Sequence, residues 1–159
     1  MRKTKTFNIK NTERVFLCPT DTIYGLSARV EDKKAIQRIL NLKKRENTKF
    51  VILIPDISYL DLFKIRPSKN QLFALERLWP GPFSVAFDDE KAFRVPDFPE
   101  LREFLKEIGP IVSTSANLHK HPPVKSADEA YQIFKDRIDL YIDKGPLKDE
   151  ASSLIRFLR

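Results

Sequence analysis

Val15-Phe16-Leu17-Cys18-Pro19-Thr20-Asp21-Thr22-Ile23-Tyr24-Gly25-Leu26 is the stretch on which the reading of this chain turns. Val15–Cys18 is an unbroken apolar run closed by Pro19, the pattern of a buried strand feeding a loop. Hydroxyl residues and a carboxylate follow the strand directly, and Gly25 permits a tight turn. That composition suits a small polar pocket, because ligands of open α/β sheets sit at strand ends. It equally suits a turn in which Thr20 and Asp21 cap backbone amides.

Working outward, Asp32 is an N-cap for a helix to about Lys43, with Ala35, Ile36, Ile39, Leu40 and Leu42 on its inner stripe. Phe50–Ile54 is a strand closed by Pro55. Ser68 with Gln71 has the spacing of a capping box, opening a helix to Trp79 that Pro80-Gly81-Pro82 stops. Phe83–Phe87 and Phe93–Val95 predict two short strands around Asp88-Asp89-Glu90. Glu100–Ile108 has helical period and ends at Gly109-Pro110; Ile111–Thr114 then predicts a strand. Ser126 with Glu129 repeats the capping-box spacing before a helix to about Lys135, and Leu140–Ile142 and Leu154–Phe157 predict the last strands. Strands separated irregularly by helices and by turns imply an α/β domain with an open, twisted mixed sheet and helices on its faces.

With 159 residues and no linker-like shift in composition, residues 1–159 are expected to form a single domain. No apolar run approaches the ~20 residues of a membrane helix, and no apolar core follows the basic N-terminus, so neither a membrane span nor a secretory leader is expected. One cysteine, Cys18, excludes an internal disulfide and fits a reducing compartment; the cytoplasm is the expected location. The formal net charge of +7 favours anionic partners such as nucleotides or RNA, or serves solubility alone. Neither G-x-x-x-x-G-K-(S/T) nor G-x-G-x-x-G occurs, so a nucleotide would have to be held by other means.

Two further polar loops abut predicted elements. Lys43, Lys44, Arg45 and Lys49 cluster at a helix C-terminus. Cations there offset the negative end of the helix dipole, or form a clamp for polyphosphate. Ser113-Thr114-Ser115-Ala116-Asn117 follows a strand with donors and acceptors suited to a ribose, a phosphate or an amino acid, or to a capped turn. His119 and His121 lack metal-site spacing and are expected to be surface residues, and Cys18 to be packing rather than a nucleophile.

Together these segments resemble the YrdC family of threonylcarbamoyl-AMP synthases. Pro19–Leu26 is similar to the opening P-T-(D/E)-T-x-Y-G-L, and Lys43-Lys44-Arg45 to the K-x-R element. Pro80-Gly81-Pro82-Phe83-Ser84, Arg94-Val95-Pro96-Asp97 and Ser115-Ala116-Asn117 resemble the P-G-P turn, the R-(V/I)-P-(D/N) segment and the S-x-N element. Asp143-Lys144-Gly145 and Ser152-Ser153-Leu154-Ile155 echo D-x-G and the final S-T-(I/V) strand. The motifs stand in family order between about Val15 and Phe157. The chain departs from the family in having Leu118-His119-Lys120-His121 after the asparagine, where Ser-Gly is common, and little room for a helix before Val15.

The resemblance implies a YrdC-like sheet with a concave ligand cleft, in which L-threonine, bicarbonate or CO2, and ATP yield threonylcarbamoyl-adenylate and pyrophosphate for the t6A modification of tRNA. It implies Thr20, Tyr24, Arg94 and Ser113 for threonine and carbamate. Lys43, Arg45, Lys49, Ser115, Asn117 and Ser153 would bind ATP, with Lys43, Arg45, Ser115 and Asn117 carrying catalysis. Mg2+ would ride on the ATP phosphates without a dedicated protein site. tRNA, through the basic surface, and the proteins that transfer the t6A group are the implied partners. A rival of another class is a double-stranded-RNA or tRNA-binding protein of the same fold without synthase activity. It lacks a recognisable RNA-binding motif, and exposed aromatics are not expected among the basic residues.

Overall fold

Nine strands join into one mixed sheet in the computed structural model, which describes residues 2–44, 50–118, 120–147 and 150–157. In chain order the elements are β1 (Arg2–Thr4), β2 (Phe16–Pro19), β3 (Tyr24–Arg29), α1 (Lys33–Lys43), β4 (Val51–Leu53), a 3-10 segment (Ile57–Phe63) and α2 (Lys69–Leu78). Then come β5 (Phe83–Ala86), β6 (Ala92–Arg94), α3 (Pro99–Ile108), β7 (Ile111–Ser115), α4 (Ala127–Phe134), β8 (Leu140–Ile142) and β9 (Ser153–Arg156). The strand order is β1-β8-β2-β3-β7-β4-β6-β5-β9. β8 is parallel to β1 and β2, β4 to β6, and β5 to β9; the other neighbours are antiparallel. The expected mixed α/β sheet is what forms.

Local chemistry sets the helix ends. Asp32 accepts from Ala35 N at 3.1 Å, opening α1. Ser68 and Gln71 form the full reciprocal box on α2, at 3.2 and 3.0 Å. On α4, Ser126 accepts from Glu129 N, while the Glu129 carboxylate takes Lys125 N, one residue earlier than a capping box requires. Gly109, at φ 87°, ends α3 in a conformation that L side chains rarely adopt.

Strand alternation gives the sheet two different faces. Leu17, Tyr24, Leu26, Ile52, Phe93, Val95 and Val112 point into the larger core, packed with Ile39 of α1, Leu75 of α2 and Phe134 of α4. Phe16, Cys18, Leu53, Ile111, Leu140 and Ile142 point the other way, and the buried helical residues that meet them, Leu101, Phe104 and Leu105, all come from α3. Each such burial contributes roughly 1.5–3 kcal/mol over exposure. Gly25, Ser27, Val51, Ser113 and Ser115 share this second face by register. Small and hydroxyl-bearing residues there leave a depression beside α3.

Two strands differ from the sequence reading. Tyr24–Arg29 continues the supposed loop as a central strand, and Arg2–Thr4 forms an edge strand in the space before Val15. β3 alternates apolar Tyr24, Leu26 and Ala28 with Gly25 and Ser27, whose small side chains disguise a two-sided strand. Gly25 is not among the residues with positive φ, so a tight turn is not its purpose.

Candidate active site

The depression is a cavity of about 180 Å³ over β3, β7, β4 and β6, lined by Thr20, Thr22, Ile23, Gly25, Arg94 and Ser113 among others. Val51 and Leu53 supply an apolar wall, and Ala151 with Ser152, just before β9, close the far side. A Cβ built on Gly25 would stand 2.1 Å from Ser113 Oγ, so glycine is what lets β3 and the β7 hydroxyl approach. Ser27 Oγ donates to Ser113 Oγ at 3.1 Å beneath the floor.

The β2–β3 turn is held by Thr20. Its Oγ1 accepts from Thr22 N and Ile23 N and donates to Ile23 O at 2.7 Å. The capped turn and the pocket wall are therefore the same feature. Arg94, 3% exposed, donates through Nη1 to Asp21 Oδ1 at 2.5 Å and to Gly81 O at 3.2 Å, and through Nη2 to Thr22 Oγ1 at 3.2 Å. Its Nε is a buried donor without an acceptor among the described residues. Burying an unmatched N–H costs about 1–3 kcal/mol.

Lys43 enters from the C-terminus of α1. Its Nζ donates to Ser115 O at 2.6 Å, Ser115 Oγ at 3.3 Å and Asn117 Oδ1 at 2.7 Å. Ser115 Oγ also donates to Asn117 Oδ1, and Asn117 Nδ2 donates to His121 O, both at 2.7 Å. Ser115 belongs to both this group and the cavity lining.

Of the residues indicated by sequence, Thr20, Arg94, Ser113 and Ser115 line the cavity, and Lys43 and Asn117 join it through Ser115. Tyr24 lies on the opposite face. Its hydroxyl donates to Gly145 O at 2.6 Å and accepts from Lys144 N at 3.1 Å, so it braces the Asp143-Lys144-Gly145 loop. Burial pushes its phenol up to about 12, and it stays a donor throughout the working pH range. Ser153 is exposed on β9; Ser152 lines the cavity instead, its Oγ 2.8 Å from Ser84 Oγ. Arg45, Lys49 and His119 lie outside the described residues, and His121 is exposed. Thr22, Val51, Leu53 and Ser152 were not found from sequence; period-two spacing is a signal for Val51 and Leu53 of β4, whereas Thr22 and Ser152 lie outside the strands.

Among the described residues no group of three or more His, Cys, Asp or Glu could hold a metal ion. Asp21, the carboxylate at the cavity rim, spends Oδ1 on Arg94 and Oδ2 on Asp97 N at 3.0 Å. Cys18 is buried, with its thiol pushed up by burial, and is not a nucleophile. The cavity offers hydroxyls and a guanidinium, with the Lys43 ammonium bonded to Ser115 beside it: chemistry for holding anions.

The Sua5/YciO/YrdC family model, described as telomere recombination, matches residues 8–159. A threonylcarbamoyl-AMP synthase of Pseudoalteromonas atlantica is 31% identical over 80% of this chain and 77% of its own. One of Pseudomonas fluorescens is 30% identical over 91% and 85%. The crystal structure of P. abyssi Sua5 complexed with L-threonine superposes with a TM-score of 0.83 at 24% identity, covering 92% of this chain and 48% of that one. The chain thus spans about half the length of that protein. E. coli YciO gives a TM-score of 0.81 at 22% identity, over 93% and 80%. These two structures carry the fold alone; the sequence matches carry the kinship, and by them this chain belongs to the Sua5/YciO/YrdC family.

Proposed function

We propose that the chain is a threonylcarbamoyl-AMP synthase, acting as a single cytoplasmic domain. The observation that carries this reading is one cavity lined by Arg94 and Ser115, with Lys43 and Asn117 both hydrogen-bonded to Ser115 behind its wall. The threonine amine takes up CO2 to form a carbamate and releases a proton. A carbamate oxygen attacks the α-phosphorus of ATP, and pyrophosphate leaves as the P–O bond breaks. Nothing in these steps requires a covalent enzyme intermediate; they require alignment and charge neutralisation.

The Arg94 guanidinium binds a carboxylate or carbamate oxygen, and Thr20, Thr22 and Ser113 surround the small amino acid. Lys43, Ser115 and Asn117 hold the reacting phosphate and carbamate, assisted by Arg45 and Lys49. Ser152 bounds the nucleotide side. Tyr24 supports the site from behind. Mg2+ would accompany ATP on its phosphates and supply charge neutralisation there. tRNA approaches the basic surface. This is supported by Phe73, 60% exposed on α2 with the Arg77 guanidinium 3.7 Å from its ring centroid, an exposed aromatic beside a cation of the kind nucleic acids stack on. The adenylate then passes to proteins that transfer the t6A group.

The test is product identity. Incubation with ATP, L-threonine and isotopically labelled bicarbonate is expected to yield threonylcarbamoyl-adenylate carrying the label, seen by mass spectrometry. RNA binding without any such product would instead support the rival, an RNA-binding protein of this fold.

A further inference from the structure

We propose that Asp21 is a positioning residue for Arg94: it fixes the guanidinium in the cavity wall, in the orientation that meets the carboxylate of the amino-acid substrate. The proposal rests on the reading of the cavity as the threonine and carbamate site.

A guanidinium has five N–H donors and, on a flexible stem, no preferred edge of its own. Here three bonds from its outer end are taken by the protein: Nη1 by Asp21 Oδ1 and Gly81 O, Nη2 by Thr22 Oγ1. Asp21 is the acid in this set and makes the shortest contact, 2.5 Å. The side chains of the pair are 4% and 11% exposed, so neither charge is balanced by water. Nε is left buried and unmatched. The second oxygen, Oδ2, accepts from Asp97 N at 3.0 Å. Asp21 therefore ties the β2–β3 turn to the segment leaving β6, and Arg94, the last residue of β6, lies between those two anchors. Asp21 acts on the substrate through Arg94.

The geometry also says why aspartate is needed. Asparagine has one acceptor oxygen, so it can meet Arg94 or Asp97 N but not both, and its amide N–H would face the other donor. Glutamate keeps the charge, but one more methylene displaces the guanidinium.

Asp21→Asn, Arg94→Gln and the double variant are to be compared in a steady-state pyrophosphate-release assay, with thermal melts of each. Each single change is expected to raise KM for L-threonine about tenfold, the scale of one charge-assisted hydrogen bond. KM for ATP should stay within about twofold. The double variant should be no worse for threonine than Arg94→Gln alone, because Asp21 has nothing left to position. If Asp21→Asn does not fold, Asp21→Glu, which preserves the ion balance, is expected to give the same threonine-selective rise. An unchanged threonine KM, an equal rise for ATP, or additive losses in the double variant would overturn the assignment. Failure of the parent reading is distinguishable, since wild-type protein would then show no threonine-dependent release at all.

Discussion

Lys43, the last residue of α1, reaches past the end of β7 to Asn117, with Nζ 2.7 Å from Asn117 Oδ1. Two segments far apart in the chain are locked by one ammonium, which is 3% exposed as a residue. Asn117 also receives Ser115 Oγ and secures His121 O. Asn117→Ala is expected to lower the rate of pyrophosphate release by about 10²-fold, the scale of losing one fixed polar group at a reacting centre. Steady-state kinetics at saturating ATP check this.

Gly25 and Ser113 occupy one space. With Ser113 Oγ 2.1 Å from where a Cβ on Gly25 would stand, Gly25→Ala forces β3 and β7 apart. Overpacking of this kind costs roughly 1–3 kcal/mol, about 3–10 °C in melting temperature for a chain of this size. Adding Ser113→Ala removes the clashing oxygen and is expected to restore most of the loss, which thermal melts of the two singles and the double will show.

Tyr24→Phe removes a hydroxyl that both donates to Gly145 O and accepts from Lys144 N. Two loop groups lose a buried partner, at a cost of about 1–3 kcal/mol. Denaturant titration should reveal that loss, while a phenol held at about 12 gives no change in stability between pH 7 and pH 9 in the wild type through this residue.

Acid should weaken the fold through three carboxylates. Arg2 holds Glu13 low, and Arg14 holds Asp32 low. At Asp139 burial opposes ionisation, but bonds from Arg38, Val15 N and Arg14 N prevail and hold it low as well. A folded-state value below the unfolded one means the unfolded chain binds more protons in acid. The stabilisation is complete above the unfolded carboxylate range, about pH 4, and is lost as pH falls through the folded values. Urea midpoints measured from pH 7 down to pH 2.5 are expected to decline below about pH 4, and less steeply in Asp139→Asn.

Local rules made most elements legible. Asp32, Ser68 with Gln71, Ser126 and Gly109 act within a few residues of where they stand, and their helices begin or end there. β3 and β1 were not legible, because each depends on a partner distant in sequence: β3 on β7, and β1 on β8. The same physics explains the site. Motif residues marked loops that border the cavity, yet which of Ser152 and Ser153 faces it is set by the register of β9 on β5, a non-local pairing. Arg94 was indicated by the resemblance alone; its bonds to Asp21 and Thr22, more than 70 residues away in the chain, are another non-local feature.

Pyrophosphate release from ATP, followed with and without L-threonine and bicarbonate in wild type and Lys43→Ala, tests the central claim most directly. The account predicts release that requires both co-substrates in the wild type and falls by about 10²–10³-fold in the variant. Release indifferent to threonine, or undiminished when Lys43 is removed, would contradict it.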